Sequence, residues 1–108
     1  MVYFTKITIP EDKNITGLLI RGHAHYARKN KDDIVCSGIS AIAQMAAYGC
    51  KFYDKHCKIE KLQEGHVAFT CNNTVETSAI INSALIGLKA LKRTYPKCFS
   101  KFMGDINE

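Results

Sequence analysis

No stretch of this sequence approaches the ~20 consecutive apolar residues that a membrane-spanning helix requires, which excludes a helical membrane span. None of the cysteines forms a CxxC pair, and their number, five, is odd. The chain also lacks the loop-rich look of a disulfide scaffold, so the thiols at positions 36, 50, 57, 71 and 98 read as reduced. With two prolines and seven glycines there is no linker, repeat or low-complexity segment. The start, Met1 to Ile9, alternates polar and apolar residues and lacks the apolar block of a secretory signal. The chain is expected to begin inside the fold and to be cytoplasmic. No RRM, KH or OB signature accompanies the basic balance of 15 Lys and Arg against 10 Asp and Glu, so nucleic acid is not expected as the primary ligand.

What is present is enough for one domain. The length is 108 residues and 46% of them are hydrophobic, sufficient to bury a core without staples. Val2 to Ile9 has period two, with Val2, Phe4, Lys6 and Thr8 on one face and Tyr3, Thr5, Ile7 and Ile9 on the other. A polar turn, Pro10 to Asn14, separates it from a second strand, Ile15 to Arg21, which predicts an antiparallel hairpin closed by Gly22. His23 to Asp33 breaks the pattern and is expected to be an exposed, mobile loop. Ile34 to Tyr48 is rich in Ala, Ile and Met with Gly49 as its stop, and apolar residues run round most of its circumference. It is expected to be a central helix covered on more than one side.

Lys58 to Leu62 and Val67 to Cys71 predict a second hairpin around Gln63-Glu64-Gly65-His66. Asn73, with Glu76 three residues on, predicts the cap of a second helix carrying the stripe Val75, Ala79, Ile80, Ser83, Ile86, Leu88 and Leu91 and ending at Pro96. Lys97 to Met103 is expected as a final edge strand. The expectation is an α+β fold of order β-β-α-β-β-α-β, a mixed or antiparallel sheet of about five strands packed with two main helices.

One segment carries chemistry: Gly22-His23-Ala24 through Asp33-Ile34-Val35-Cys36 to Ser40. Cys36 falls in the first turn of a helix, where free N–H groups favour a thiolate and can later hold an oxyanion. A lowered Cys36 pKa is therefore expected. His23 ends a strand thirteen positions earlier, and the loop between them is long enough to bring a base to the thiol. Asp33 can orient the imidazole or cap the helix. Ser40, one turn after Cys36, shares its face. Each residue type also has a plain structural use: a buried thiol, a solvated histidine, a helix cap, a small packing residue.

The pattern Gly22-His23-Ala24, Tyr26-Ala27, Asp33-Ile34-Val35-Cys36 and Ser40 resembles the signature of the bacterial ribosomal-processing cysteine proteases, the Prp family, and the likeness runs along nearly the whole chain. It implies one cysteine protease domain over residues 1–108, with His23 and Cys36 catalytic and Gly22, Asp33 and Ser40 supporting. It implies an acyl-transfer endopeptidase with no cofactor and no metal. The substrate would be the short N-terminal extension of the twenty-seventh protein of the bacterial large ribosomal subunit, cut after an aromatic residue. A homodimer with a flexible loop over the site is implied too, and Tyr26 would either touch the peptide or anchor the loop. Departures are His25, where glycine is usual, Ser37-Gly38 in place of two alanines, and a lysine-rich loop.

Two other classes remain. Lys51, Lys55, Lys58 and Lys61, with Lys89, Lys92, Arg93, Lys97 and Lys101, would suit a non-catalytic ribosome- or RNA-binding module. Cys50, His56, Cys57, His66 and Cys71 offer soft metal ligands, at a spacing that fits no usual zinc knuckle.

Overall fold

The alternation of the first residues produces the expected hairpin in the computed structural model, which describes residues 1–27 and 33–100. β1 (Tyr3–Thr8) pairs antiparallel with β2 (Ile15–Arg21). α1 (Ile34–Tyr53) follows, then β3 (Lys58–Gln63), β4 (His66–Asn72), α2 (Val75–Thr94) and a short 3-10 turn, Pro96–Cys98. The sheet has four strands in the order β1-β2-β4-β3, every neighbouring pair antiparallel. Its second hairpin therefore inserts β4 against β2. That places the β3–β4 turn beside the end of β2, where Arg21 pairs with His66.

Both helices pack against each other and against the sheet, α1 over β3 and β4, α2 over β1 and β2. The core face of the sheet carries Phe4, Leu18, Ile20, Val67, Phe69 and Cys71, all buried, so Val2 and Phe4 define the inward side of the first strand. Period two in the strands and removal of these side chains from water are the same fact seen twice.

Several expectations change. α1 does not stop at Gly49 but runs to Tyr53; Gly49 faces Ile80 of α2, which an added Cβ would touch at 3.4 Å, so the glycine lies within the contact between the helices. Its circumference is not fully covered either. Val35, Ile39, Ala43, Ala46, Ala47 and Cys50 are buried, while Met45, Tyr48 and Phe52 face solvent. The cap of α2 is Thr74, not Asn73: its hydroxyl accepts from the Thr77 N–H (3.1 Å) and the Thr77 hydroxyl accepts from the Thr74 N–H (2.9 Å). Asn73 instead donates its backbone N–H to Asn14 (2.6 Å), tying this link to the first hairpin. The buried face of α2 is Thr77, Ile81, Ala84 and Leu88, whereas Val75 and Ile86 of the expected stripe are exposed. No fifth strand forms among the described residues. Pro96 removes a donor and opens a 3-10 turn, leaving one parallel bridge from Phe99 to Val2. Residues 101–103 of the expected strand, and 28–32 of the expected mobile loop, lie outside the described residues.

Asp54 locks the far end of α1 to the sheet. Its buried carboxylate accepts from the N–H of Asn72 (2.7 Å) and of His56 (3.0 Å) and from the Asn72 amide (3.3 Å). The Asn72 N–H foremost holds its pKa below the ordinary value, against the opposing effect of burial. A folded pKa below the unfolded one means stability that is present above the unfolded value, ~3.9, and lost as pH falls through the folded value. Asp54→Ala is expected to cost about 2 kcal/mol at neutral pH. In urea melts of both proteins, the gap between wild type and variant is expected to narrow as pH drops below ~4.

Candidate active site

The end of β2, the start of α1 and the β3–β4 turn meet at one place, and each contributes one reactive side chain. Gly22 makes the first approach possible. It holds φ +102°, and an added Cβ would lie 2.0 Å from the Met1 carbonyl oxygen, so no other residue fits. Its N–H donates to the Gly65 carbonyl (2.9 Å), continuing the β2–β4 ladder into the turn. His23 then lies across Gly65: a Cβ on that residue would sit 2.5 Å from His23 Nε2, and Gly65 itself holds φ +83°. The glycine is what leaves room for the imidazole.

Cys36 enters from the other side. Asp33 caps α1, its Oδ1 accepting the Cys36 N–H (2.9 Å) and its backbone oxygen the Ser37 N–H (3.0 Å). The other carboxylate oxygen accepts from the N–H of Tyr26 (2.9 Å) and Ala27 (3.4 Å). Burial pushes this carboxyl up, but the N–H groups of Cys36, Tyr26, Ala27 and Val35 together outweigh it and hold Asp33 below its ordinary value. Of its two expected roles, capping is the one observed; Asp33 also ties down the segment after His23. Tyr26 likewise acts here as an anchor, its ring edge-to-face with Tyr95 (centroids 5.2 Å apart).

His23, Cys36 and Glu64 offer a nitrogen, a sulfur and a carboxylate oxygen all within 4.8 Å of one another. The hydrogen bond of the thiol is to Glu64, Cys36 Sγ to Oε1 at 3.6 Å. Glu64 was not among the residues singled out from sequence, where the Glu-Gly turn reads only as a hairpin tip. It becomes legible only once β4 is known to pair with β2, which carries this turn to His23.

The expected depression of the Cys36 pKa is overturned. Partial burial raises it, the Ala24 N–H directed at the sulfur opposes the rise, and the charges of Glu64 and Asp33 add to it. The helix start does not act as a free positive end, because the carboxylate of Asp33 already occupies the N–H groups of Val35 and Cys36.

A groove leads away from the sulfur. One cavity of about 530 Å³ is lined by Asp33, Cys36, Ser37, Ser40, Ala41, Gln44 and Glu64. A second, about 400 Å³, shares Ser40, Gln44 and Glu64 with it and continues to Tyr48, Leu62 and Val67. Ser40 therefore stands on the groove wall one turn from Cys36, as expected from its spacing. His25, the position where the resemblance expects glycine, has φ +52°, the one described non-glycine residue with positive φ. That is the left-handed region, which glycine enters most readily.

Comparison with solved structures gives the same fold three times. A ribosomal-processing protease Prp from S. aureus in complex with a covalently linked product peptide superposes with TM-score 0.73 at 20% identity, covering 93% of this chain and 96% of that one. The same S. aureus protease with a substrate peptide gives 0.67 at 21% identity, over 93% and 96%. SMU.848 from Streptococcus mutans gives 0.60 at 18%, over 93% and 90%. No curated protein matches the sequence. The model of the family described as cysteine protease Prp matches residues 2–100, which spans every element and all three side chains of the site, and the chain belongs to that family of cysteine proteases.

Proposed function

We propose that this peptidase removes the short N-terminal extension of a bacterial large-subunit ribosomal protein, the twenty-seventh, cutting after an aromatic residue, with Cys36 as nucleophile and His23 as base. The observation that carries the residue assignment is the convergence of imidazole and thiol within 4.8 Å at the head of an open groove. The substrate class is supported by the ribosomal processing ascribed to the S. aureus protease of the same fold. The finer identity, the aromatic preference and a cytoplasmic setting come from the family resemblance.

In the reaction the thiol proton leaves its bond to Glu64 and passes to His23, and the sulfur attacks the scissile carbonyl. The carboxylate of Glu64 lies beside the imidazolium so formed, where its charge is favourable. The helix-start N–H of Cys36 is engaged by Asp33, so we assign the oxyanion to the Ala24 N–H, which already points at the sulfur. His23 then protonates the leaving amine, and water releases the acyl group. The peptide runs along α1 past Ser40 and Gln44 toward Tyr48 and Leu62. The whole chain works as one domain, as a homodimer; exposed Phe52 (81%), Val75 (84%) and Ile86 (67%) give such an assembly apolar surface to bury.

Three outcomes are expected. A peptide spanning the ribosomal extension is cut by the wild type and by neither Cys36→Ala nor His23→Ala, with the fold unchanged by circular dichroism; binding without cutting would sink the assignment. Gly65→Ala pushes the imidazole off the turn. It is expected to lower kcat/KM about a hundredfold, since a shift of ~1 Å at a reacting group has that effect, while costing only about 1 kcal/mol of stability. A stopped assay with unchanged rate would show that His23 does not need this seat. Sedimentation equilibrium is expected to return twice the chain mass of 12.1 kDa.

A further inference from the structure

Among the described residues, one group of three metal-ligating side chains has all its donor atoms within 4.8 Å of each other, and it is His23, Cys36 and Glu64. The core thiols Cys50, Cys57 and Cys71 are buried neighbours, with Cys57 pushed up to about 11 by burial, yet they do not form such a group. Neither do the soft ligands weighed from sequence, which included His56 and His66.

We propose that His23, Cys36 and Glu64 form a zinc site in which a bound Zn²⁺ switches the peptidase off. The donor set is one that zinc takes: a thiolate sulfur, an imidazole nitrogen and a carboxylate oxygen. Zinc–sulfur and zinc–oxygen bonds of about 2.3 and 2.1 Å in a tetrahedron separate S from O by roughly 3.6 Å. Cys36 Sγ and Glu64 Oε1 already stand 3.6 Å apart, and an imidazole nitrogen of His23 lies within 4.8 Å of both. The three ligands come from three separate segments, so the fold and not a flexible loop holds them. His23 and Glu64 are exposed and Cys36 is half-buried at the mouth of the groove, so an ion reaches the site from solvent and the fourth position stays open to water. Among the described residues the groove wall supplies two carboxylates, Asp33 and Glu64, and no cation.

Binding breaks the Sγ–H bond, forms Zn–S and releases the proton to solvent, with no change of oxidation state. The ion then engages nucleophile and base together, so cleavage stops until a chelator removes it. Binding stands on the geometry alone, whereas its effect on cleavage rests on the peptidase reading above.

The test is a Co²⁺ titration of the full chain after chelator treatment. One equivalent is expected to give a thiolate-to-cobalt charge-transfer band and the intense visible bands of tetrahedral cobalt, both bleached by Zn²⁺. Cys36→Ser should abolish the charge-transfer band. So should alkylation of the folded protein by iodoacetamide, which reaches half-buried Cys36 ahead of the buried thiols. Glu64→Gln should weaken binding by at least about tenfold. Bands that persist after alkylation would put the metal on other thiols and overturn the site. Unchanged affinity in Glu64→Gln would overturn the three-ligand set, and an absence of saturable binding would overturn it outright. In the cleavage assay, Zn²⁺ should silence the wild type and a chelator restore it. Cobalt binding by a protein that never cleaves the peptide would leave the site standing and the peptidase reading fallen. Cleavage undiminished at saturating Zn²⁺ would overturn the switch.

Discussion

The carboxylate of Asp33 is the constraint on which the site depends. It gathers N–H groups from two directions, Cys36 at the start of α1 and Tyr26 and Ala27 from the segment after His23. A single ionised group thereby ends the helix and fixes where the preceding chain returns. Charge-assisted bonds of this kind are roughly twice as strong as neutral ones. Besides it, the segment that carries His23 meets the helix that carries Cys36 through the Ala24 N–H and the closeness of imidazole and thiol. The same bonds explain the electrostatics. A helix start lowers a thiol pKa only while its N–H groups are unoccupied, and here an anion already sits on them. The helix-start potential thus goes into fixing position, and in the proposed reaction activation of the sulfur falls to His23.

Much of this was legible from residues alone, for identifiable reasons. The first hairpin follows from strict alternation around a polar turn, and the second from two short apolar runs around Glu64-Gly65. The pairing of His23 with Cys36 followed from the family resemblance and is matched by their closeness in space. The elements that were misread share a cause: their ends are decided by tertiary contacts. Gly49 looks like a stop, but α2 lies against it and the helix continues. Asn73 looks like a cap, but Asn14 claims its N–H and the duty passes to Thr74. Lys97 to Met103 looks like a strand, but Pro96 starts a turn that leaves one bridge. Glu64 was invisible because it is near His23 only through the pairing of β2 with β4, a long-range fact with no local signature.

The exposed apolar side of α1 has a similar origin. A helix whose buried stripe is alanine, Ala43, Ala46 and Ala47, sits close to the sheet and to α2. Its larger apolar residues, Met45, Tyr48 and Phe52, are then left outside. Tyr48 lines the groove that begins at Cys36, just over three turns along the same helix. In the proposed reaction one helix supplies Cys36 at its first turn and, beyond it, a wall along which an extended peptide would lie.

Two glycines carry this arrangement from backbone to chemistry. The bond from the Gly22 N–H to the Gly65 carbonyl joins the residue before His23 to the turn beneath its ring. Both glycines hold φ values open to few other residues, and both would collide with their neighbours if they bore a Cβ, Gly22 with Met1 and Gly65 with His23. The turn that seats the His23 ring also presents Glu64 to the thiol, so imidazole and carboxylate are set by one short piece of backbone. A carboxylate so placed has two consequences that cannot be separated. Behind the larger effect of burial, it adds to the cost of a free thiolate, and in the proposed reaction proton transfer to His23 is the route to a nucleophile. It also completes a set of three donors suited to a soft divalent cation. In the zinc proposal, the carboxylate that adds to the cost of a free thiolate is also the one that completes the donor set for the metal.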